Sequence, residues 1–149
     1  MEKSAPILHV EDDLVDVTNL RRVFARRGIA NPLQAAANGE VALSLLRAAD
    51  DTKIRPALIL LDLGMPVMGG LELLQELKND AALRAIPAVV LTASSREEEV
   101  SSAYELGAAG YVVKPIAFDD LAAAVDLVVR YWTLCCTGST GPSPLRGLN

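Results

Sequence analysis

Several classes of function are excluded by what the chain has little of. Cysteine occurs twice, as adjacent Cys135 and Cys136. Neighbouring cysteines rarely bridge, and this pair has neither metal-ligand spacing nor the makings of a disulfide framework. Both are expected to be free thiols at a fraying helix end. Histidine occurs once, as His9 in a short apolar stretch, where a packed core position is the expectation rather than a ligand role. Basic residues are sparse: 14 Lys and Arg against 19 Asp and Glu leave a net charge of −5. Only Arg21-Arg22 and Arg26-Arg27 cluster, and neutralising phosphates takes a concentrated basic face, so nucleic-acid binding is not expected. No apolar run approaches a membrane span, and none follows the first residues as a secretory signal would require. The expectation is a soluble cytoplasmic protein with no membrane attachment.

What is present is a globular composition. Of the 149 residues, 51% are hydrophobic, enough for one domain with a proper core. The stretch Pro56-Ala-Leu-Ile-Leu-Leu-Asp62-Leu-Gly-Met-Pro66 is the most informative. Ala57 to Leu61 is an unbroken apolar run between prolines, too short for an ordinary helix. That pattern predicts a strand buried on both faces, as in a parallel sheet. It ends in Asp62, and a charge at the end of a buried strand is costly unless something pairs with it. Ligands of open α/β sheets bind at the carboxyl ends of the strands, which places Asp62 at the lip of a site.

Strand and helix patterns alternate along the rest of the chain. Ile7 to Val10 reads as strand one, followed by Glu11-Asp12-Asp13, with Asp13 as a helix cap. The first helix would turn Leu14, Val17, Leu20 and Phe24 inward and stop at Gly28. Leu33 to Ala37 reads as the second strand after Asn31-Pro32. Val41 to Ala49 is the second helix, with Val41, Ala42, Leu45, Leu46 and Ala49 facing in. A polar loop from Asp50 to Arg55 leads to the Asp62 strand. After Gly69-Gly70 a third helix carries Leu71, Leu74 and Leu77. Pro87 to Leu91 is the fourth strand, ending in Thr92-Ala93-Ser94. The fourth helix, about Arg96 to Leu106, points Val100, Ala103 and Tyr104 inward. Its first turn, Glu97-Glu98-Glu99, reads as a solvated acidic turn. Tyr111 to Val113 is the fifth strand, and Phe118 to Leu134 the last helix. The Gly-, Ser- and Pro-rich residues beyond are expected to form a flexible tail, which gives a domain over 5–134 and a tail over 135–149. Met65 and Met68 are read as loop packing.

Five strand–helix units in succession imply a parallel sheet with helices on both faces. Its carboxyl edge then gathers Glu11, Asp12, Asp62, Thr92 and Lys114. Three carboxylates that close require a cation, and hard oxygen ligands suit Mg²⁺. A divalent ion, a lysine and a hydroxyl beside a carboxylate make an apparatus for handling a phosphoryl group.

These motifs resemble the receiver domain of two-component response regulators: Ile-Leu-His-Val-Glu11-Asp12-Asp, Leu-Leu-Asp62-Leu-Gly-Met-Pro, Val-Leu-Thr92-Ala-Ser and Gly-Tyr111-Val-Val-Lys114-Pro115. The resemblance implies a flavodoxin-like α/β fold, strand order 2-1-3-4-5. By it Asp62 is the phosphoacceptor, and Glu11, Asp12, Asp62 and the Gly64 carbonyl are ligands of Mg²⁺. Thr92 is the switch hydroxyl, Lys114 the phosphate-binding lysine, and Tyr111 the aromatic switch. The Lys114–Pro115 bond is expected cis. The implied role is a phosphoacceptor that catalyses its own phosphotransfer and slowly loses the group, rather than an enzyme with turnover. The implied partner is a sensor histidine kinase. The loop before Asp62, the Ser-Tyr104-Glu-Leu-Gly stretch and Tyr131-Trp132 are most similar to single-domain regulators that partner bacterial and cyanobacterial phytochromes, with output through protein contact. Gly64 departs from many relatives, which carry a hydrogen-bonding side chain there, beside the route of the attacking water. It bears on the lifetime of the phosphorylated state.

Three other readings compete. A phosphatase of the aspartyl-phosphate class would need a second Asp two residues after the first, where Gly64 stands. A nucleotide- or flavin-binding domain would need a Gly-rich turn after strand one, where Glu11-Asp12-Asp13 would repel phosphate. A pseudo-receiver, binding partners without phosphorylation, would have lost Asp62, Lys114 or the acid pair. The last helix adds one more expectation. Leu121, Val125, Val128 and Trp132 make one apolar stripe for the sheet, and Asp126, Arg130 and Thr133 a polar face. Ala123, Leu127, Tyr131 and Leu134 make a second apolar stripe, expected to be buried in a symmetric homodimer.

Overall fold

The computed structural model describes residues 5–48 and 55–135. Five strands, β1 (Ile7–Val10), β2 (Leu33–Ala36), β3 (Leu58–Leu61), β4 (Ala88–Thr92) and β5 (Gly110–Val113), form one parallel sheet in the order β2-β1-β3-β4-β5. The helices are α1 (Leu14–Arg27), α2 (Gly39–Ala48), α3 (Gly70–Lys78), α4 (Glu97–Glu105) and α5 (Phe118–Leu134). The flavodoxin-like expectation holds in element order and strand order alike. The expected tail lies outside the described residues apart from Cys135, as do Ala49 and most of the 50–55 loop.

The strand pattern explains the layers. Alternate side chains leave opposite faces of a strand. Ile59 and Leu61 pack with Leu8, Val10 and Val90 beneath α2, α3 and α4, while Leu58 and Leu60 pack with Ile7, Val89 and Leu91 beneath α1 and α5. The apolar run before Asp62 is therefore continuous because both of its faces are covered. His9 is buried, as expected for a core position, on the face shared with Ile7.

Helix rotation differs from the sequence reading in four places. Leu14 is exposed, because the first turn of α1 stands beyond the end of β1 and has no sheet beneath it. In α2 the buried set is Ala42, Leu43 and Leu46, and Val41 and Leu45 face outward. In α4 only Ala103 is buried and Tyr104 is half-exposed. Asp126, assigned to a polar face, is buried between Arg27 of α1, 3.3 Å away, and Arg130, at 2.6 Å. The guanidinium groups satisfy a carboxylate that burial alone would penalise. The second stripe of α5 is uncovered among the described residues: Ala123, Leu127, Tyr131 and Leu134 are all exposed.

The Lys114–Pro115 bond is trans, contrary to the cis expectation; no cis peptide occurs among the described residues. Trans is the favoured form of an X–Pro bond by about 0.5–1 kcal/mol, and Ile116 beyond it is fully exposed, so no packing there selects the other isomer.

Candidate functional site

Register brings the strand-end residues together. Val10 pairs with Leu61, and the Asp62 N–H donates to the Val10 carbonyl at 3.0 Å, so Glu11 and Asp62 leave adjacent strands side by side. Leu61 pairs with Val90 and Thr92 with Val113, and the Lys114 N–H donates to the Thr92 carbonyl at 2.7 Å. Glu11, Asp12, Asp62, Thr92 and Lys114 consequently line one open cleft of about 500 Å³, together with Asp13, Asp16, Gly64, Ser94 and Glu99.

The loop after Asp62 is shaped by close backbone packing. A side chain at Gly70 would meet the Asp62 carbonyl at 2.3 Å and Leu63 Cα at 2.8 Å, so α3 can start directly against the end of β3 only with glycine there. The Glu72 side chain accepts from the Gly69 N–H at 3.2 Å, fixing that start. The Met68 carbonyl accepts from the Gly39 N–H at 2.9 Å, tying the loop to α2. Met65 and Met68 pack on the core as expected. The Gly64 N–H donates to Asp62 Oδ2 at 3.2 Å, which orients the carboxylate.

The electrostatics are lopsided. Among the described residues, six acidic side chains and one lysine line the cleft. Lys114 Nζ donates to Glu11 Oε1 and to Asp16 Oδ2, each at 2.8 Å, and lies 3.7 Å from Asp62 Oδ1. Burial on its own would depress the lysine, but the hydrogen bonds to Asp16 and Glu11 outweigh it and hold its pKa above the ordinary value. Glu11, buried, is raised first by burial and then by the Asp62 charge, against the pull of Lys114 and the Asp13 N–H. Burial raises the Tyr111 hydroxyl too, with the Glu99 and Asp62 charges adding to it.

Glu11, Asp12 and Asp62 each offer a carboxylate oxygen, and these oxygens lie within 4.8 Å of one another. One ammonium cannot neutralise the set, and a hard divalent cation bound by oxygen fits the donors present. Thr92 is buried, and its Oγ1 accepts from the Ser94 N–H at 3.4 Å. The Tyr111 hydroxyl donates to the Ser94 carbonyl at 3.0 Å, so one residue, Ser94, connects the two sequence-predicted switch positions.

Two cleft residues escaped the sequence reading. Asp16 was not singled out, although it is an acid in the first turn of the helix that follows Glu11-Asp12-Asp13. Glu99, read as part of a solvated turn with Glu97 and Glu98, is half-buried and accepts from the Ser94 hydroxyl.

Comparisons with known proteins agree with the fold. The family model described as "Response regulator receiver domain" matches residues 7–126. The chain is 36% identical to "Probable methanogenesis regulatory protein FilR2" of Methanothrix harundinacea, over 92% of this chain and 88% of that one. It is 35% identical to "Response regulator Rcp1" of Synechocystis, over 85% and 87%. Among solved structures, the phosphorylated cyanobacterial phytochrome response regulator RcpA superposes with a TM-score of 0.81 at 30% identity, covering 91% of this chain and 99% of that one. The Mn²⁺-bound form of Rcp1 gives a TM-score of 0.77 at 33% identity, covering 94% and 99%.

Proposed function

The chain belongs to the response regulator receiver domain family of two-component signalling, and from that premise we propose that Asp62 accepts a phosphoryl group from the phosphohistidine of a sensor histidine kinase. The observation that carries this reading is the placement of the Lys114 ammonium 3.7 Å from Asp62 Oδ1, in a cleft whose lining includes six acids and buried Thr92.

In the transfer, a carboxylate oxygen of Asp62 attacks phosphorus in line as the bond to the imidazole nitrogen breaks, and the electron pair leaves with the imidazole. Lys114 holds an equatorial oxygen of the group in flight, and the Thr92 hydroxyl donates to another. The Gly64 N–H keeps Asp62 oriented for attack. Glu11, Asp12 and Asp62 would hold Mg²⁺, with the Gly64 carbonyl as a main-chain ligand; when bound, that ion supplies positive charge to the phosphoryl oxygens. The new group adds negative charge and acceptor oxygens to Asp62. Thr92 moves toward it and Tyr111 fills the space vacated, so the surface of α4, β5 and α5 changes.

The likeness to phytochrome response regulators supports a phytochrome-type kinase as the partner. That pairing places the protein in the cytoplasm, where the phosphohistidine is formed. The exposed stripe Ala123, Leu127, Tyr131 and Leu134 supports a symmetric homodimer through α5, on the face that phosphorylation alters.

The test is Asp62→Asn. The wild type should incorporate acid-stable, base-labile phosphate from a small phosphodonor with Mg²⁺, and the variant should incorporate none. Label at wild-type level in Asp62→Asn would remove Asp62 from this role.

A further inference from the structure

The mechanism uses Lys114 but leaves out a residue that holds it. Asp16 Oδ2 is 2.8 Å from Lys114 Nζ, as close as Glu11 and nearer than Asp62. The two partners differ in what else they can do. Glu11 belongs to the carboxylate triplet able to hold a cation, and Asp16 does not. The backbone of Asp16 is itself fixed: Asp13 Oδ1 accepts from the N–H groups of Val15 and Asp16, at 2.8 and 3.3 Å. A carboxylate set in this way in the first turn of α1 reaches across to the end of β5, 98 residues further along the chain.

An ammonium carries three donors. With two directed at Glu11 and Asp16, one remains for Asp62 or for anything attached to it. We propose that Asp16 is a positioning residue that restrains Lys114 in the resting state, so that an incoming phosphoryl group must compete with Asp16 for the ammonium. This deepens the phosphoacceptor reading and rests on it.

The direction follows from charge and from donor count. A phosphoryl group brings negative charge into a cleft that already holds six acidic side chains, and Asp16 opposes its arrival. Asp16 also occupies a donor that the group would use. Asp16→Asn removes the charge and weakens the hold on the donor, Asp16→Ala removes both, and in each Glu11 still keeps Lys114 in the cleft. Asp16 forms no bond to phosphorus and takes no proton. It gives up a hydrogen-bond partner, and the bonds made and broken at phosphorus are unchanged.

The experiment compares wild type with Asp16→Asn, Asp16→Ala and Asp16→Glu, using the full chain, Mg²⁺ and acetyl phosphate, with the phosphorylated fraction followed by intact mass. Asp16→Asn and Asp16→Ala should raise the initial rate at subsaturating donor by roughly threefold to tenfold, the scale of one half-screened charge a few ångströms away. Both neutral variants should still require Mg²⁺, because Asp16 lies outside the carboxylate triplet. Asp16→Glu keeps the charge and should remain well below the other two. A structural role alone would lower melting temperature and rate together and give no such split by charge. Rates at or below wild type in both neutral variants, with melting unchanged, overturn the restraint, and so does an equal gain in Asp16→Glu. Absence of label in wild type would instead refute the phosphoacceptor reading, so the two failures are distinguishable.

Discussion

His9 makes the fold sensitive to acid, by an amount that follows from its surroundings. It is the single histidine of the chain, 3% exposed in the middle of β1, and its Nδ1 has no hydrogen-bond partner. Burial first, then the charges of Lys114 and Arg21, depress its pKa from 6.5 to about 4, with the Asp16 carboxylate working the other way. Folded His9 thus takes up a proton less readily than unfolded His9. Between those two pH values the unfolded chain binds more protons, so acidification favours unfolding. The contribution is complete above pH 6.5, declines as pH falls, and is gone near pH 4. At about 1.4 kcal/mol per unit, the whole shift corresponds to about 3 kcal/mol, of which about 2 kcal/mol is lost between pH 7.5 and pH 5. A domain of this size is stable by roughly 5–15 kcal/mol, so the loss is readily measured.

The perturbation is His9→Leu, read by urea unfolding in metal-free buffer at pH 7.5, 6 and 5. At pH 7.5 the variant should equal or exceed wild type, because it removes a buried nitrogen with no partner, a defect of about 1–3 kcal/mol. Its advantage should then grow by about 2 kcal/mol on going to pH 5. Glu11 acts in the opposite sense: raised by burial and then by Asp62, it takes up a proton more readily when folded, so acid stabilises the fold through it. Glu11 is present in both proteins, and the paired comparison cancels it to first order. Parallel loss of stability in wild type and His9→Leu would refute the reasoning, since the acid sensitivity would then arise elsewhere.

Mg²⁺ should raise the melting temperature by mass action, by about 2.7 kcal/mol at a hundredfold excess over its dissociation constant. Asp12→Ala should lose most of that gain, and an undiminished shift would place the metal elsewhere. For the α5 stripe, wild type should sediment as a dimer at tens of micromolar and Leu127→Asp as a monomer. A monomeric wild type, or a dimer that survives the substitution, would dismiss that interface.

Strand features of the site were readable because a parallel sheet imposes its own geometry. Once Ala57 to Leu61 reads as a strand covered on both faces, Asp62 must stand at the carboxyl edge, and the same rule carries Glu11, Thr92 and Lys114 there. No knowledge of side-chain contacts is needed, only the direction of the strands. Helix surfaces obey a weaker rule. A period of 3.6 residues leaves the rotation of a short helix open by one position: the pattern turns Val41 and Leu45 inward with Ala42 and Leu46, and in the fold Leu43 joins Ala42 and Leu46 instead. Charges that pair between elements obey no local rule at all. Asp126 looks like any solvated acid of α5 until Arg27, 99 residues earlier, comes to lie beside it. Asp16 is hidden more thoroughly, because an acid three residues past an Asp cap already has an ordinary explanation in the helix dipole. The available signal was arithmetic: Glu11, Asp12, Asp13 and Asp16 put four acids within six residues, around a strand edge with a single lysine. A surplus of that size demands partners beyond a dipole, and the lysine at the end of β5 is within reach of only some of them. Which carboxylates it answers in the resting state, and which are left for a cation, is decided by where α1 begins above the sheet, and that position follows from the Asp13 cap.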